Sequence, residues 1–157
     1  MAKAYYIAYG SNMDIDQMAY RCPEAKLVDT GEIKGWEYLF KGSYSGSYAT
    51  IERKKGAQPI PVYVWAVTAE DEQRLDHYEG FPAFYYKTTI PVKLHKDGRV
   101  VHGMVYIMHE ERHLGIPSAT YFNNIRAIYE SHKWDTEILW EALDKSTDHI
   151  KSVAKKQ

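Results

Sequence analysis

The amino-acid sequence predicts an α+β fold, in which a mostly antiparallel sheet curls into a small β-barrel with flanking helices. Two observations lead to this prediction. Strand-like runs outnumber helical runs, and several neighbouring strands are separated only by a short turn. In addition, no regular crossover helix follows each strand, as a doubly wound parallel sheet would require.

The N-terminal half is expected to contain five strands and one short helix. The strands are predicted over residues 4–9, 26–28, 36–40, 48–53 and 61–67, and the last of these is the most strand-like and therefore central. The helix is predicted over 14–21, with Asn12 or Asp14 as its N-cap and Cys22-Pro23 at its end. A loop rich in Gly, Ser and Tyr is expected over 42–47.

The C-terminal half is expected to contain three helices and one hairpin. Thr68 and Asp71 form an approximate capping box and Gly80 is a stop signal, which together predict a helix over 69–79. Strands over 85–94 and 100–108 are joined by Asp97-Gly98, typical of a two-residue hairpin turn. Ser118 is expected to cap a third helix, and a final helix runs from 135 to about 155.

Composition predicts a single domain over residues 1–157. Of the 157 residues, 45% are hydrophobic and 26% are charged, which is typical of a globular protein with its own core. The formal net charge of -1 lacks the basic excess of a nucleic-acid-binding protein, so nucleic acid is not expected as a partner. Cys22 is the only cysteine, and a cysteine zinc cluster is therefore excluded.

The expected compartment is the cytoplasm, with no membrane partner. We see no secretory leader before the first strand and no apolar stretch long enough to cross a bilayer. A single free thiol fits a reducing compartment. The 14 tyrosines predict amphipathic strands or a wet cavity, where the ring packs and the hydroxyl reaches a polar partner. Oligomeric state is not readable from the sequence.

The first candidate site is the segment Tyr9-Gly10-Ser11-Asn12, where a strand ends and a helix begins almost at once. Glycine allows a sharp turn there, and the exposed backbone N–H groups can bind a carboxylate or phosphate. A plain tight turn with an Asn cap is the alternative interpretation.

The second candidate is Glu79, the last residue of the helix predicted over 69–79. The negative end of the helix dipole disfavours a carboxylate and raises its pKa. Beside the nearby aromatic residues, such a carboxylate can act as a general base near neutral pH. An exposed surface glutamate before a C-cap glycine is the alternative interpretation.

A third candidate is His109-Glu110-Glu111-Arg112-His113, which matches the zinc-protease pattern H-E-x-x-H. A zinc site needs both histidines on one face of a helix and a third ligand. This segment follows a strand directly, and Gly115 and Pro117 leave little room for a helix. A polar turn is therefore favoured, and a zinc hydrolase stays only as an unlikely alternative.

Several motifs occur together in one order along the chain. They are Tyr9-Gly10-Ser11-Asn12, Ala49-Thr50-Ile51, Val62-Tyr63-Val64-Trp65, Leu75-Asp76-x-x-Glu79-Gly80 and Tyr86. In this combination the chain resembles the γ-glutamylcyclotransferase-like family, from about residue 4 to 106 and more faintly to Tyr121. The resemblance implies a small β-barrel with a cavity at its mouth.

The resemblance also implies a reaction. The α-amine of a γ-glutamyl compound attacks its own γ-carbonyl, giving 5-oxoproline and a free amine or amino acid. It places the catalytic glutamate at Glu79, the substrate-binding loop at Tyr9, Gly10, Ser11 and Asn12, and pocket tyrosines at Tyr86 and Tyr121. No cofactor and no metal are implied, and the partner is a small γ-glutamyl molecule.

Three questions stay open at this point. The leaving group can be an amino acid, a lysine-type amine or an aminoglycoside side chain. The Gly10-to-Asn12 loop can bind either the substrate α-carboxylate or the developing oxyanion. A non-catalytic module that binds γ-glutamyl ligands on the same barrel is the rival from another class, and Tyr121 can be a core residue of its helix.

Overall fold

The computed structural model describes residues 4–44 and 46–155. Ser45, within the loop predicted over 42–47, lies outside the described residues. The strands are β1 (Ala4–Ala8), β2 (Lys26–Ile33), β3 (Trp36–Lys41), β4 (Tyr48–Arg53), β5 (Ile60–Val67), β6 (Tyr85–Leu94) and β7 (Val100–Met108). The helices are α1 (Ile15–Arg21), α2 (Ala69–Glu79), α3 (Ala119–Ser131) and α4 (Glu137–Lys155), and a 3-10 turn covers Ser11–Met13.

Five strands close into a barrel in the order β1-β5-β2-β6-β7. Four of the five pairings are antiparallel, and the parallel contact of β1 with β7, through Tyr6 and Met104, completes the closure. Strand β5 pairs with β1 on one side and β2 on the other, so its predicted central position is confirmed. The α+β class and the mostly antiparallel small barrel are confirmed as well.

Strand β2 is longer than the predicted strand over 26–28, because it continues through Gly31 to Ile33. Gly31 pairs with Leu94 of β6. A Cβ atom at Gly31 would lie 2.6 Å from the Lys93 carbonyl oxygen, so only glycine allows this close approach of the two strands. The glycine that looks like a strand breaker in the sequence therefore lets β2 close the barrel.

Strands β3 and β4 form a separate two-stranded sheet that packs against the barrel and α4. The Ser146 hydroxyl of α4 donates a hydrogen bond to the Phe40 carbonyl oxygen at 3.2 Å. On the other side, the Met108 amide at the end of β7 donates to the Thr50 hydroxyl at 2.9 Å. These contacts fix β4 across the end of the barrel where β1 and β7 finish.

The helix boundaries follow from their caps. Thr68 and Asp71 make both hydrogen bonds of a capping box at the start of α2, and Gly80 ends the helix at a φ of 63°. Ser118 accepts a hydrogen bond from the Tyr121 amide and caps α3. At α1 the cap is Asp14, whereas Asn12 belongs to the 3-10 turn. None of the helices in the described residues is long and apolar enough to span a membrane.

The predicted two-residue turn at Asp97-Gly98 is wrong, because the β6–β7 connection is longer. The Leu94 amide donates to the Arg99 carbonyl oxygen at 2.9 Å, so residues 95–98 form the loop. The Lys96 amide also donates to the Asp29 carboxylate at 2.8 Å, which ties this loop to β2. That contact between distant parts of the chain stabilises the longer loop.

Candidate active site

A cavity of about 720 Å³ lies at the end of the barrel where β1 and β7 finish and α2 ends. Most of the residues predicted for the site meet in its wall, namely Tyr9, Gly10, Ser11, Asn12, Glu79 and Tyr121. The remaining wall comes from strands β1, β4, β6 and β7, helix α1, the end of α2 and the start of α3. Segments far apart in the sequence therefore converge on one space.

The turn from β1 to α1 forms one side of the cavity. The Met13 amide donates to the Gly10 carbonyl oxygen and the Asp14 amide to the Ser11 carbonyl oxygen, both at 3.0 Å. The preceding amides, of Ser11 and Asn12, have no acceptor among the described residues, and no side chain caps the turn. They are therefore available to an anion or a polarised carbonyl oxygen.

Gly10 leaves little room for a side chain at this turn. Its φ of -125° is accessible to any residue. A Cβ atom there would lie 3.2 Å from the Tyr121 hydroxyl oxygen, closer than ordinary contact. Glycine thus keeps the turn close to Tyr121, whose hydroxyl accepts a hydrogen bond from the Ala49 amide at 3.0 Å.

Asn12 fixes the turn from inside the protein and is almost fully buried. Its side-chain amide donates to the Tyr6 hydroxyl at 2.9 Å, and its backbone carbonyl oxygen accepts from the Trp65 indole at 3.0 Å. The Asn12 side chain is consequently a support of the loop, whose residues Ser11 and Asn12 line the cavity.

Tyrosine hydroxyls surround the cavity, and three of them already donate their proton. Tyr9 donates to the Tyr106 carbonyl oxygen at 2.7 Å, Tyr85 to that of Ala49 at 2.9 Å, and the Tyr106 hydroxyl to Asp76 at 2.6 Å. Tyr6 and Tyr121 differ, because each accepts a hydrogen bond and finds no acceptor for its own proton among the described residues. Together with the half-exposed Tyr48 and Tyr78 of the wall, these two are the hydroxyl donors left for a ligand.

Burial keeps both of these tyrosines protonated. It raises the pKa of Tyr6 and of Tyr121 well above the usual value, and the nearby Glu79 carboxylate raises both further. The same charge also acts on Tyr9, Tyr85 and Tyr106, where burial is again the larger cause. Glu79 thus lies close to a ring of neutral phenols.

Glu79 is held in the cavity wall by the end of α2. Leu75, one turn earlier, is fully buried and anchors the helix, and Gly80 turns the chain away immediately afterwards. Burial raises the pKa of the Glu79 carboxyl to about 7, although Arg21 acts in the opposite direction. The residue as a whole is only partly buried, and it lines the cavity.

The Glu79 carboxylate has no hydrogen-bond donor among the described side chains. A carboxyl with a pKa near neutrality and no partner can take up and release a proton. The interpretation of Glu79 as an ordinary exposed surface residue is therefore not supported by its surroundings.

Arg21 is a residue of the cavity wall that the sequence patterns did not single out. Its Nη1 atom donates to the Asn12 Oδ1 at 2.6 Å and to the Ser11 hydroxyl at 3.2 Å. The guanidinium lies over the ring of Tyr78, 4.8 Å from its centroid. Arg21 follows Asp14 by about two helical turns, so helical spacing returns it to the side where the helix began, a signal that can be found in the sequence.

Tyr86 does not line the cavity, and Tyr85 does. Successive side chains of a strand point to opposite faces, so a shift of one residue in β6 exchanges the two tyrosines. The Tyr86 hydroxyl instead donates to the Glu110 carboxylate, and burial together with this acid raises its pKa to about 12.

The segment from His109 to His113 forms a turn and not a helix. The His109 Nε2 lies 2.7 Å from the Pro82 carbonyl oxygen, whereas the His113 Nδ1 lies 3.0 Å from that of Leu114. The two rings therefore contact different parts of the chain, and the helix that an H-E-x-x-H zinc site requires is not formed.

Comparison with known proteins shows which family the chain matches. A family model described as "Gamma-glutamyl cyclotransferase, AIG2-like" matches residues 6–135. A search of curated proteins returned no match. Among solved structures, one described as a gamma-glutamyl cyclotransferase is 21% identical, with a TM-score of 0.78 over 90% of this chain and 86% of that chain.

Two further solved structures have the same fold. An uncharacterized protein from Homo sapiens is 21% identical, with a TM-score of 0.78 over 90% of this chain and 87% of that chain. A gamma-glutamyl cyclotransferase from yeast, described as specific to glutathione, is 12% identical, with a TM-score of 0.64 over 93% of this chain and 97% of that chain. At these identities the likeness concerns the fold.

Proposed function

The chain belongs to the gamma-glutamyl cyclotransferase, AIG2-like family, and from this premise we propose that it converts a γ-glutamyl amide into 5-oxoproline and a free amine or amino acid. The observation that supports this most is the Glu79 carboxyl, which has a pKa of about 7 and lies in the cavity wall with the free amides of Ser11 and Asn12. The carboxyl can transfer a proton, while the two amides can stabilise a negative charge on the substrate.

The first step joins the substrate to itself. Glu79 accepts a proton from the α-ammonium, and the α-nitrogen attacks the γ-carbonyl carbon, forming the new C–N bond of a five-membered ring. Because both partners belong to one molecule, the enzyme has only to fold the substrate into a reactive shape. The amides of Ser11 and Asn12 are suited to stabilise the oxyanion that develops on the carbonyl oxygen.

The second step releases the amine. Glu79 returns its proton to the leaving nitrogen, and the C–N bond to that nitrogen breaks. The ring nitrogen gives its second proton to the released amine, which leaves as an ammonium ion, so Glu79 ends as it began. A pKa of about 7 suits both transfers, because neither protonation state is costly near neutral pH. The free O–H donors of Tyr6 and Tyr121 are suited to orient the glutamyl unit, with Tyr9 and Gly10 shaping the wall behind it.

Tyr86 has no direct part in this mechanism, because it lies outside the cavity and Tyr85 takes the place that was expected for it. The cytoplasmic location expected from the sequence remains part of the proposal, with small γ-glutamyl molecules as the partners. Only the volume of the cavity, about 720 Å³, limits the size of the leaving group.

The test is release of 5-oxoproline from a panel of γ-glutamyl amino acids, a γ-glutamyl-lysine-type amine and γ-glutamyl aminoglycoside side chains. Wild-type protein should release it from at least one of them. Glu79→Gln should lower the rate at least about 100-fold, the usual share of general acid–base catalysis. Glu70→Gln, at an exposed position of the same helix, is the matched control and should keep full activity. Tight binding of these ligands by wild type without turnover would favour a binding module instead.

A further inference from the structure

Arg21 stands out among the charged groups of the cavity. In the described part of its wall, Arg21 is the only Lys or Arg, and Glu79 is the only Asp or Glu. Among the described residues, no carboxylate forms an ion pair with Arg21, and this includes Glu79, the acid of the cavity wall. The cavity therefore contains one guanidinium whose charge is not matched by a bonded anion.

The position of this guanidinium is fixed before any ligand binds. One nitrogen, Nη1, holds the side chains of Ser11 and Asn12, and the flat face of the group rests on the Tyr78 ring. The other donor nitrogens, Nε and Nη2, have no acceptor among residues 4–44 and 46–155. A preorganised fork with free donors is the group that binds a carboxylate with both oxygens.

The proposed reaction brings one carboxylate into this cavity with every substrate. A γ-glutamyl unit carries its α-carboxylate on the same carbon as the α-amine that Glu79 deprotonates. Wherever the amine meets Glu79, the carboxylate lies next to it, and a carboxylate taken out of water needs a hydrogen-bonded counter-charge.

We propose that Arg21 binds the α-carboxylate of the γ-glutamyl unit, which leaves the Ser11 and Asn12 amides for the oxyanion. This assignment rests on the function proposed above and divides the two negative charges of the reaction between two places. Arg21 binds the α-carboxylate, which is charged throughout the reaction. The amides of the turn stabilise the oxyanion, which forms only during the reaction. Because Nη1 also holds the side chains of the turn, the two places are kept at a fixed separation.

The experiment compares two substrates that differ in one group. The first is the best γ-glutamyl substrate of the panel, and the second is its analogue with a carboxamide in place of the α-carboxylate, which cyclises to 5-oxoprolinamide. Both keep the same attacking amine and scissile amide. The enzymes are wild type, Arg21→Gln, Arg21→Lys and Arg74→Gln. Arg74 is the matched control, because it removes an arginine from a neighbouring helix and does not line the cavity.

Arg21→Gln should lower kcat/KM for the carboxylate substrate by roughly 10- to 100-fold, the range for a lost hydrogen bond to a charged group. For the carboxamide the loss should be smaller by about tenfold, since only the support of the turn and the effect on the Glu79 pKa are lost and no charge is left to bind. Arg21→Lys should lie between, because lysine keeps the charge without the fork. The control variant should follow wild type on both substrates.

Equal losses on both substrates would overturn the assignment and make Arg21 only a support of the turn. Turnover of the carboxamide also shows that Arg21→Gln is folded, so loss of structure cannot imitate the expected result. If wild type forms no cyclic product from either substrate, the proposed function itself fails. The two failures are therefore distinguishable.

Discussion

The two ends of helix α2 each carry a carboxylate, and they use it in opposite ways. At the N-terminal end Asp71 is fully buried and accepts hydrogen bonds from the Thr68 amide at 3.2 Å and from Arg74 at 3.1 Å. At the C-terminal end Glu79 has no donor among the described side chains, and burial raises its pKa to about 7. The first acid stabilises the fold, and the second is left free for chemistry.

The direction of the helix acts in the same sense as this difference. Free N–H groups at its start favour a negative charge, whereas free carbonyl groups at its end disfavour one. An acid at the start is therefore bonded locally, whereas an acid at the end finds no backbone N–H donor in its own helix. The same short element thus supplies an anchor and the acid that we propose as the reactive group.

The largest expected effect separates activity from stability at the Glu79 end. Glu79→Gln should lower the rate of 5-oxoproline formation by roughly 10²- to 10⁴-fold. Its free energy of unfolding in urea should stay within about 0.5 kcal/mol of wild type or rise, because a neutral amide is not penalised by burial as an anion is. A loss of stability comparable with the loss at Asp71 would break the contrast between the two ends.

The opposite pattern is expected at the other end. Asp71→Ala removes the carboxylate from the Thr68 amide and from Arg74, and it should cost about 2 kcal/mol of unfolding free energy. The folded fraction should keep its activity, since Asp71 does not line the cavity. Glu70→Ala, in the same turn but exposed, is the control and should change stability by less than about 0.5 kcal/mol. Loss of activity in fully folded Asp71→Ala would contradict the division of roles.

The third prediction concerns pH. Glu79 must be ionised to accept a proton, so kcat/KM should rise with pH to a midpoint near its pKa of about 7. Arg21 lowers this pKa, so Arg21→Gln should move the midpoint to higher pH. The surrounding tyrosines stay neutral in this range because burial raises their pKa values. His77 also lines the cavity, and His77→Gln should leave the midpoint in place.

Stability should depend on the same ionisation with a defined sign. The pKa of Glu79 in the folded state, about 7, lies above the ordinary value of 4.5. Between these values the folded protein binds more protons than the unfolded chain, so this group's contribution falls as pH rises through about 7. Glu79→Gln should flatten that decline in urea unfolding between pH 5 and 8, and an unchanged slope would place the raised pKa in doubt.

Local signals predicted the second helix almost completely. Thr68, Asp71 and Gly80 define its two ends within the sequence itself, so its bounds of Ala69–Glu79 match the prediction. The bounds of β4, β6 and β7 also match, because each has turn residues beside it. Strand β2 was underestimated because Gly31 serves a contact with β6, and such a contact is not visible in the sequence near Gly31.

The site was predictable where a residue belongs to a motif, and less so where only orientation matters. Glu79 and the turn from Tyr9 to Asn12 line one cavity, as the resemblance implied. Tyr86 was placed one residue out, because the sequence of β6 does not reveal which face of the strand meets the cavity. Arg21 was missed because it belongs to none of the motifs. Its helical spacing from Asp14 indicates the correct side of α1, but its two bonds to the turn are not visible in the sequence.

The smallest expected effect tests whether the end of α2 positions Glu79. Gly80 has a φ of 63°, and a Cβ atom there would lie 3.3 Å from the Phe84 Cβ, next to the cavity. Gly80→Ala should cost about 1 kcal/mol of unfolding free energy, because a left-handed conformation is unfavourable for alanine. Because Phe84 must give way and Glu79 is the adjacent residue, kcat should fall as well, by roughly threefold to tenfold.

Gly56→Ala is the matched control for this prediction. Gly56 has a φ of 80° and open space around its Cβ position, so alanine there has the same conformational cost without a contact. Both variants should lose similar stability, but only Gly80→Ala should lose activity. Equal activity in the two variants would mean that Glu79 does not depend on the exact end of its helix, and the free carboxylate would then be positioned by the cavity wall alone.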